Sequence, residues 1–155
     1  MARSSLRVLF VGPDNATRSQ FAEAVMRQAA GTSFEAVSAG TRPQPVARLT
    51  VQVLHEIGID WSAARSKPLS DVADQPFDYV ITMCPEVADA GRSVAAPHAE
   101  LHWGFVDPSL IDGSPVERLA AFRRSRREVA DEVLRFMERT LHAWREERVP
   151  AAQHG

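Results

Sequence analysis

The residues of this chain best suited to act on an anion lie close together near its start. Gly12-Pro13-Asp14-Asn15-Ala16-Thr17-Arg18-Ser19 follows four apolar residues, Val8 to Val11, and precedes a run with Phe21, Val25 and Met26 on one helical face. Such an apolar run suits a strand covered on both faces. Gly12 and Pro13 break it, and Asn15, Thr17 and Ser19 are types that bond backbone N–H groups where a helix begins. Strand, loop and helix start make an anion site, because free N–H groups and the positive end of the helix dipole converge there. Arg18 adds a planar, always charged fork. Gly12, Asp14, Asn15, Ala16, Thr17, Arg18 and Ser19 are therefore candidate ligand-binding residues. Further along stand the lone thiol Cys84, and Trp103 close before the pair Asp107-Pro108.

The elements that must position these groups are those of an α/β protein. Apolar runs and breakers predict strands over 6–11, 33–38, 77–83 and 100–103. Helices are expected over 18–30, ended by Gly31, and over 45–57, ended by Gly58. The stretch 38–41 reads as a turn of small residues, and 104–113 as a loop. Ser114-Pro115-Val116-Glu117 combines an N-cap Ser, Pro at the first helical position and a Glu that closes a capping box. Leu119, Phe122, Val129, Val133, Phe136, Met137, Leu141 and Trp144 then recur at helical steps, which predicts a long last helix over 115–146. The expected architecture is a single-domain three-layer sandwich: a four-stranded parallel sheet with helices on both faces. The domain spans 1–147, with 1–5 a loose lead-in and 148–155 a flexible tail. Ligands of such sheets bind beyond the carboxyl ends of the strands, so 12–18, Cys84 and 104–108 should face one crevice.

Composition narrows the function classes. A chain of 155 residues can bury about 70% of its unfolded surface and needs no staple. The net charge of −2 points to neither nucleic acid nor an anionic membrane. One Cys excludes an internal disulfide and fits a reducing cytosol, so a cytoplasmic location is expected. There is no apolar run long enough for a signal peptide or membrane span. The histidines His55, His98, His142 and His154 share no ligand spacing, so neither a metal nor another cofactor is expected.

These motifs together resemble the low-molecular-weight protein-tyrosine-phosphatase family, whose fold the thioredoxin-coupled arsenate reductases share. The family signature is Cys, five residues, Arg, Ser after a hydrophobic strand. Here that spacing runs from position 12 to Arg18-Ser19. Ser38-Ala39-Gly40-Thr41 resembles the turn that braces the family's active-site loop. Gly58-Ile59-Asp60, Ser66-Lys67-Pro68-Leu69 and Phe122 to Glu128 resemble later landmarks. Ile81-Thr82-Met83-Cys84 and His102-Trp103-Gly104-Phe105-Val106-Asp107-Pro108 are similar to the arsenate-reductase branch in particular. The resemblance implies that Asp107 is the remnant of a general acid.

The departures bear on chemistry. The family's nucleophilic Cys is Gly12 here, a second loop Cys is Thr17, and the third redox Cys of the arsenate reductases is Gly91. Phosphate-ester cleavage needs a nucleophile attacking in line, and Gly12 has no side chain. Thr17 and Ser19 carry hydroxyls but have no neighbouring His as base. Arsenate reduction needs two thiols, one to accept arsenate and one to resolve it. Cys84 alone is either a remnant of that chemistry or a small core residue. Asp107 is either the old acid or the cap of a turn, and Trp103 is packing at the pocket rim. Pro13 removes one N–H from the anion cradle. Asp14 either turns inward to pair with Arg18, filling the site, or turns outward and bonds N–H groups at the helix start.

Three readings follow. The first is a non-catalytic binding or regulatory protein whose crevice takes phosphate, arsenate, sulfate or a small metabolite. The second is an active phosphatase or arsenate reductase of unusual mechanism. The third is a protein-interaction module with a vestigial crevice.

Overall fold

The computed structural model describes residues 5–96 and 99–148. Most of the expected lead-in, the tail from 149, His98 and His154 lie outside the described residues. The sheet has four parallel strands: β1 (Leu6–Gly12), β2 (Phe34–Gly40), β3 (Tyr79–Thr82) and β4 (Ala99–His102), in the order β2-β1-β3-β4. Among the described residues four α-helices accompany it: α1 (Arg18–Ala30), α2 (Arg48–His55), α3 (Ala88–Arg92) and α4 (Pro115–Arg148).

Alternation along β1 sorts the core into two layers. Leu6, Val8 and Phe10 pack with Phe21, Val25 and Met26 of α1, Val53 and Leu54 of α2, and Phe122, Val129, Val133 and Phe136 of α4. Leu9 and Val11 face the other way, onto Val72, Phe77, Val80, Cys84, Val87 and Val94. Each fully buried Leu, Val or Phe contributes about 1.5–3 kcal/mol. The expected three-layer arrangement is therefore present, and α4 extends through Arg148 rather than ending at 146. Its capping box is reciprocal: the Ser114 amide donates to Glu117 Oε1 and the Glu117 amide to Ser114 Oγ.

Several expected boundaries move for physical reasons. Residues 38–40 are strand, not turn: Phe10, Val11 and Gly12 pair with Ser38, Ala39 and Gly40. A Cβ on Gly40 would lie 2.9 Å from the Pro13 carbonyl oxygen and 3.0 Å from Asn15 Cβ, so the small residues allow β2 to press against the loop. The second helix begins at Arg48, not at 45. Residues 43–47 stay outside it and use Gln44 and Ala47 N–H groups to bind the carbonyls of Asp14 and Ala16. That helix ends at His55, which leaves Ile57 40% exposed instead of on the packed face. β3 starts only at Tyr79, because just before it the Asp78 carboxylate, not a carbonyl, accepts the Arg7 amide at 2.8 Å.

The strand order fixes where a ligand can sit. β2 lies on one side of β1 and β3 on the other, so the chain reverses its winding direction between β1 and β3. A crevice opens beyond the carboxyl ends of strands at such a switch point. Gly12 ends β1 and Cys84 follows β3 at that place. No described helix is long and apolar enough to cross a membrane.

Candidate functional site

The loop between β1 and α1 is held by its carbonyls. Those of Gly12, Pro13, Asp14 and Ala16 accept the amides of Thr41, Arg42, Gln44 and Ala47, and the Asn15 carbonyl accepts from Gln20 Nε2. In a trans peptide the next N–H points opposite to the carbonyl, and no described peptide bond is cis. The amides of Asp14, Asn15 and Thr17 follow those bonded carbonyls and face away from them. The Arg18 amide lies in the first helical turn, where N–H groups have no intrahelical partner.

Asn15 is the brace. Its backbone is left-handed, at φ 53°, a conformation Asn tolerates better than most residues. The side chain is fully buried. Nδ2 donates to Ser19 Oγ at 2.8 Å and to Ser38 Oγ at 3.0 Å, while Oδ1 accepts the Lys67 amide at 3.0 Å. Ser38 Oγ donates on to Glu23 Oε1 at 2.7 Å. Glu23 also faces Arg27 at 3.0 Å and Lys67 Nζ at 3.8 Å. Gln20 extends the network, accepting Trp61 Nε1 at 2.8 Å. The expectation that Asn15, Thr17 and Ser19 cap the helix is corrected. Asn15 and Ser19 bond each other, and the N-cap Thr17 makes no side-chain cap bond. Thr17 Oγ1 instead lies 3.3 Å from Thr50 Oγ1.

Beyond the loop is a crevice of about 450 Å³ lined by Pro13, Asp14, Arg18, Arg42, Cys84, Pro85, Glu86, Val106, Asp107 and Leu110. It joins the loop, the end of β3 and the 104–111 segment, the three regions expected to meet. Arg18 is 7% exposed; its Nη1 donates to the Phe105 carbonyl at 2.9 Å and its Nη2 lies 3.7 Å from Asp107 Oδ2. The inward pairing of Asp14 with Arg18 is not formed. Asp14 Oδ1 accepts the Ala16 amide at 3.2 Å, closing a local turn, and the acid beside Arg18 is Asp107. Asp107 also caps its own turn, through the Ser109 amide at 2.9 Å. Of the two roles considered for it, the turn cap is formed.

Other candidates fall elsewhere. Trp103 is half-buried and packs against the core: its ring meets Phe10, Phe105 and Phe136 at 6.0–6.1 Å between centroids, and it is not among the residues that line the crevice. Cys84 is 8% exposed and borders both the second core layer and the crevice. Gly12 is buried, and a Cβ built on it would lie 3.1 Å from Ser19 Oγ. The pair Arg42–Glu86, 3.1 Å apart across the crevice, went unread in the sequence. So did the Phe105 carbonyl, for which no side-chain signal exists.

The comparisons agree with this geometry. Residues 7–145 match the family described as low molecular weight phosphotyrosine protein phosphatase. An arsenate reductase of Halalkalibacterium halodurans is 33% identical over 131 residues, 84% of this chain and 94% of the relative. The crystal structure of an arsenate reductase from Archaeoglobus fulgidus superposes with a TM-score of 0.68 at 26% identity, covering 83% of this chain and 97% of that one. A low molecular weight protein tyrosine phosphatase from T. tengcongensis gives 0.67 at 25%, covering 86% and 99%. With the sheet order, the crevice and these matches in accord, the chain belongs to the low molecular weight phosphotyrosine protein phosphatase family, alongside its arsenate reductases.

Proposed function

We propose that this chain is a non-catalytic member of its family that binds an oxyanion, or a small metabolite bearing one, in the 12–18 cradle. The observation that carries the reading is Gly12. Inside a loop braced by Asn15, the position that matches the family's nucleophile has no side chain, and a Cβ there would lie 3.1 Å from Ser19 Oγ. The loop hydroxyls do not replace it. Ser19 accepts from Asn15, and among the described residues no imidazole bonds Thr17 or Ser19; His102 Nδ1 is held by Thr82 Oγ1 at 2.6 Å.

Reduction of arsenate fits no better. It takes two electrons, which two thiols supply by forming a disulfide, and the chain has one. At position 91 a Cβ would lie 2.5 Å from Thr82 Cγ2, so a cysteine there would require the Thr82 side chain to shift. A reducing cytosol is the compartment in which a lone thiol such as Cys84 persists unpaired.

The test combines activity with binding. The purified protein should hydrolyse no aryl phosphate above a buffer blank and reduce no arsenate with thioredoxin. Calorimetric titration at low salt should still detect phosphate, and Arg18→Gln should abolish that binding. Turnover that survives repurification and vanishes in Cys84→Ser would overturn the reading. A protein-docking role has one observation in its favour, the exposure of Val106 (77%) and Leu110 (75%) at the crevice mouth. Phosphate binding that Arg18→Gln leaves intact would move the argument to that surface.

A further inference from the structure

Arg18 already has an anion beside it. Its Nη2 lies 3.7 Å from Asp107 Oδ2, an ion-pair distance but too long for a hydrogen bond. Asp107 is aimed there by its own loop. Its Oδ1 accepts both the Ser109 amide at 2.9 Å and the Ser109 hydroxyl at 2.7 Å, which leaves Oδ2 for the guanidinium. Both side chains are largely buried, at 7% and 16% exposed. The crevice's second guanidinium, Arg42, is paired with Glu86. A ligand on Arg18 therefore arrives beside a fixed carboxylate that is close enough to touch it.

We infer that Asp107 is a specificity-determining residue: it selects oxyanions that still carry an O–H at neutral pH. The inference rests on the reading of the cradle as an oxyanion site. Phosphate and arsenate keep at least one hydroxyl at neutral pH, whereas sulfate keeps none. A phosphate on the loop amides and Arg18 can turn its hydroxyl to Asp107 Oδ2, and the carboxylate accepts a charge-assisted hydrogen bond. Sulfate can only place oxygen against oxygen, with both partners negative and no proton between them. A carboxylate accepts and cannot donate while ionised, so it discriminates by the proton. Two ligands of the same shape are thus separated by one hydrogen, as expected where a buried polar group would be left facing the wrong partner.

The experiment is calorimetric titration of inorganic phosphate, arsenate and sulfate at one ionic strength and neutral pH. The proteins are the wild type, Asp107→Asn, Asp107→Ala and Arg18→Gln. The Asn variant keeps an Oδ1 acceptor for Ser109, so the turn is retained. The wild type should prefer phosphate and arsenate over sulfate by about tenfold or more, one hydrogen bond's worth of discrimination. In Asp107→Asn, sulfate affinity should rise about tenfold while phosphate changes less than about threefold, so that the preference collapses. Asp107→Ala should give the same collapse. Equal wild-type affinity for sulfate and phosphate, arsenate behaving like sulfate, or a preference that survives in both variants would overturn the proposal. The two readings fail differently: binding that persists in Arg18→Gln, or that is absent throughout, rejects the cradle itself. Binding lost only in Arg18→Gln, with an unchanged preference in the Asp107 variants, rejects the filter alone.

Discussion

The rear and the front of the 12–18 loop are built differently. At the rear, Asn15 uses both side-chain atoms, and Ser19, Ser38, Glu23, Lys67 and Arg27 continue the contacts without a break. At the front, the position of attack is Gly12, Asp14 is turned onto its own backbone, and Arg18 leans to the opposite loop. The loop's shape is thus held from behind. That support does not depend on which side chain stands at position 12. That is why scaffold motifs and catalytic residues have to be read separately, since function lives in a site and not in a fold.

The largest effect should come from breaking the rear. Asn15→Ala removes three hydrogen bonds and places Ala at φ 53°. It should lower stability by about 3 kcal/mol, read by urea denaturation, and abolish anion binding with it. Asn15→Gly tolerates the backbone and should recover about 1 kcal/mol of the loss. The front-side change Cys84→Ser should cost less than about 2 kcal/mol. If Asn15→Ala costs no more than Cys84→Ser, the rear does not hold the loop.

A control remote from both sides comes next. Arg123 clamps Glu56 through three short contacts and Arg126 adds a fourth, tying α4 to the end of α2. The Arg123 hydrogen bonds, with Arg126 assisting and desolvation opposing, hold Glu56 down to about 2 from 4.5. The folded value lies below the unfolded one, so this stabilisation is complete above about 4.5 and is lost as the pH falls toward 2. Glu56→Gln should reduce the proton uptake on acid unfolding by up to one, most visibly at low salt, and leave anion affinity unchanged. An unaltered acid limb would remove the clamp from the account.

How much of this was legible in the sequence depended on range. β1, α1 and the α4 cap rest on local patterns, and the structure keeps them. The crevice could be placed because parallel strands deliver their carboxyl ends to one side. What could not be read were contacts made by backbone or across long separations. Asp14, close by in sequence, was one possible partner for Arg18, but the Arg18 fork is long enough to reach Phe105 and Asp107 on another loop. Residues 45–47 were expected in the second helix, yet carbonyls of the loop hold the Gln44 and Ala47 N–H groups. Trp103 stands beside the acid loop in sequence, yet its half-buried ring packs against the core, on Phe10 and Phe136. Arg126 sat in a run of charges and is 9% exposed, donating to the Val53 carbonyl at 2.6 Å.

Restoring the front is a smaller structural change with a sharp chemical readout. In Gly12→Cys the new Cβ meets Ser19 Oγ at 3.1 Å and Ser19 Cβ at 3.5 Å, a tight fit that should cost about 1 kcal/mol. In a Cys84→Ser background the new thiol should titrate well below the ordinary value of about 8.5, since a helix start and Arg18 favour the thiolate. The pH dependence of its alkylation rate measures this. Aryl phosphate hydrolysis should appear. A thiol titrating near 8.5 would mean that the front has lost more than its nucleophile.

The smallest effect should come from Asp14, and it separates two carboxylates on the same crevice. Asp14 and Asp107 both line it, so charge alone would give them equal influence on an anion. Their orientation differs. Asp14 Oδ1 is taken by the Ala16 amide and the residue is half-buried, so solvent screens its charge; Asp107 is 16% exposed and presents Oδ2 to Arg18. Screened, partly exposed charges interact by less than about 1 kcal/mol. Asp14→Asn keeps an acceptor for the Ala16 amide and should therefore raise phosphate and sulfate affinity alike, by less than about threefold, in calorimetric titration at low salt. The change should fade as salt is added. A tenfold gain in both anions would reverse the assignment: Asp14 would then be the acid that guards the cradle, and its turn onto Ala16 would be a resting position that it leaves when the site is empty of other charge.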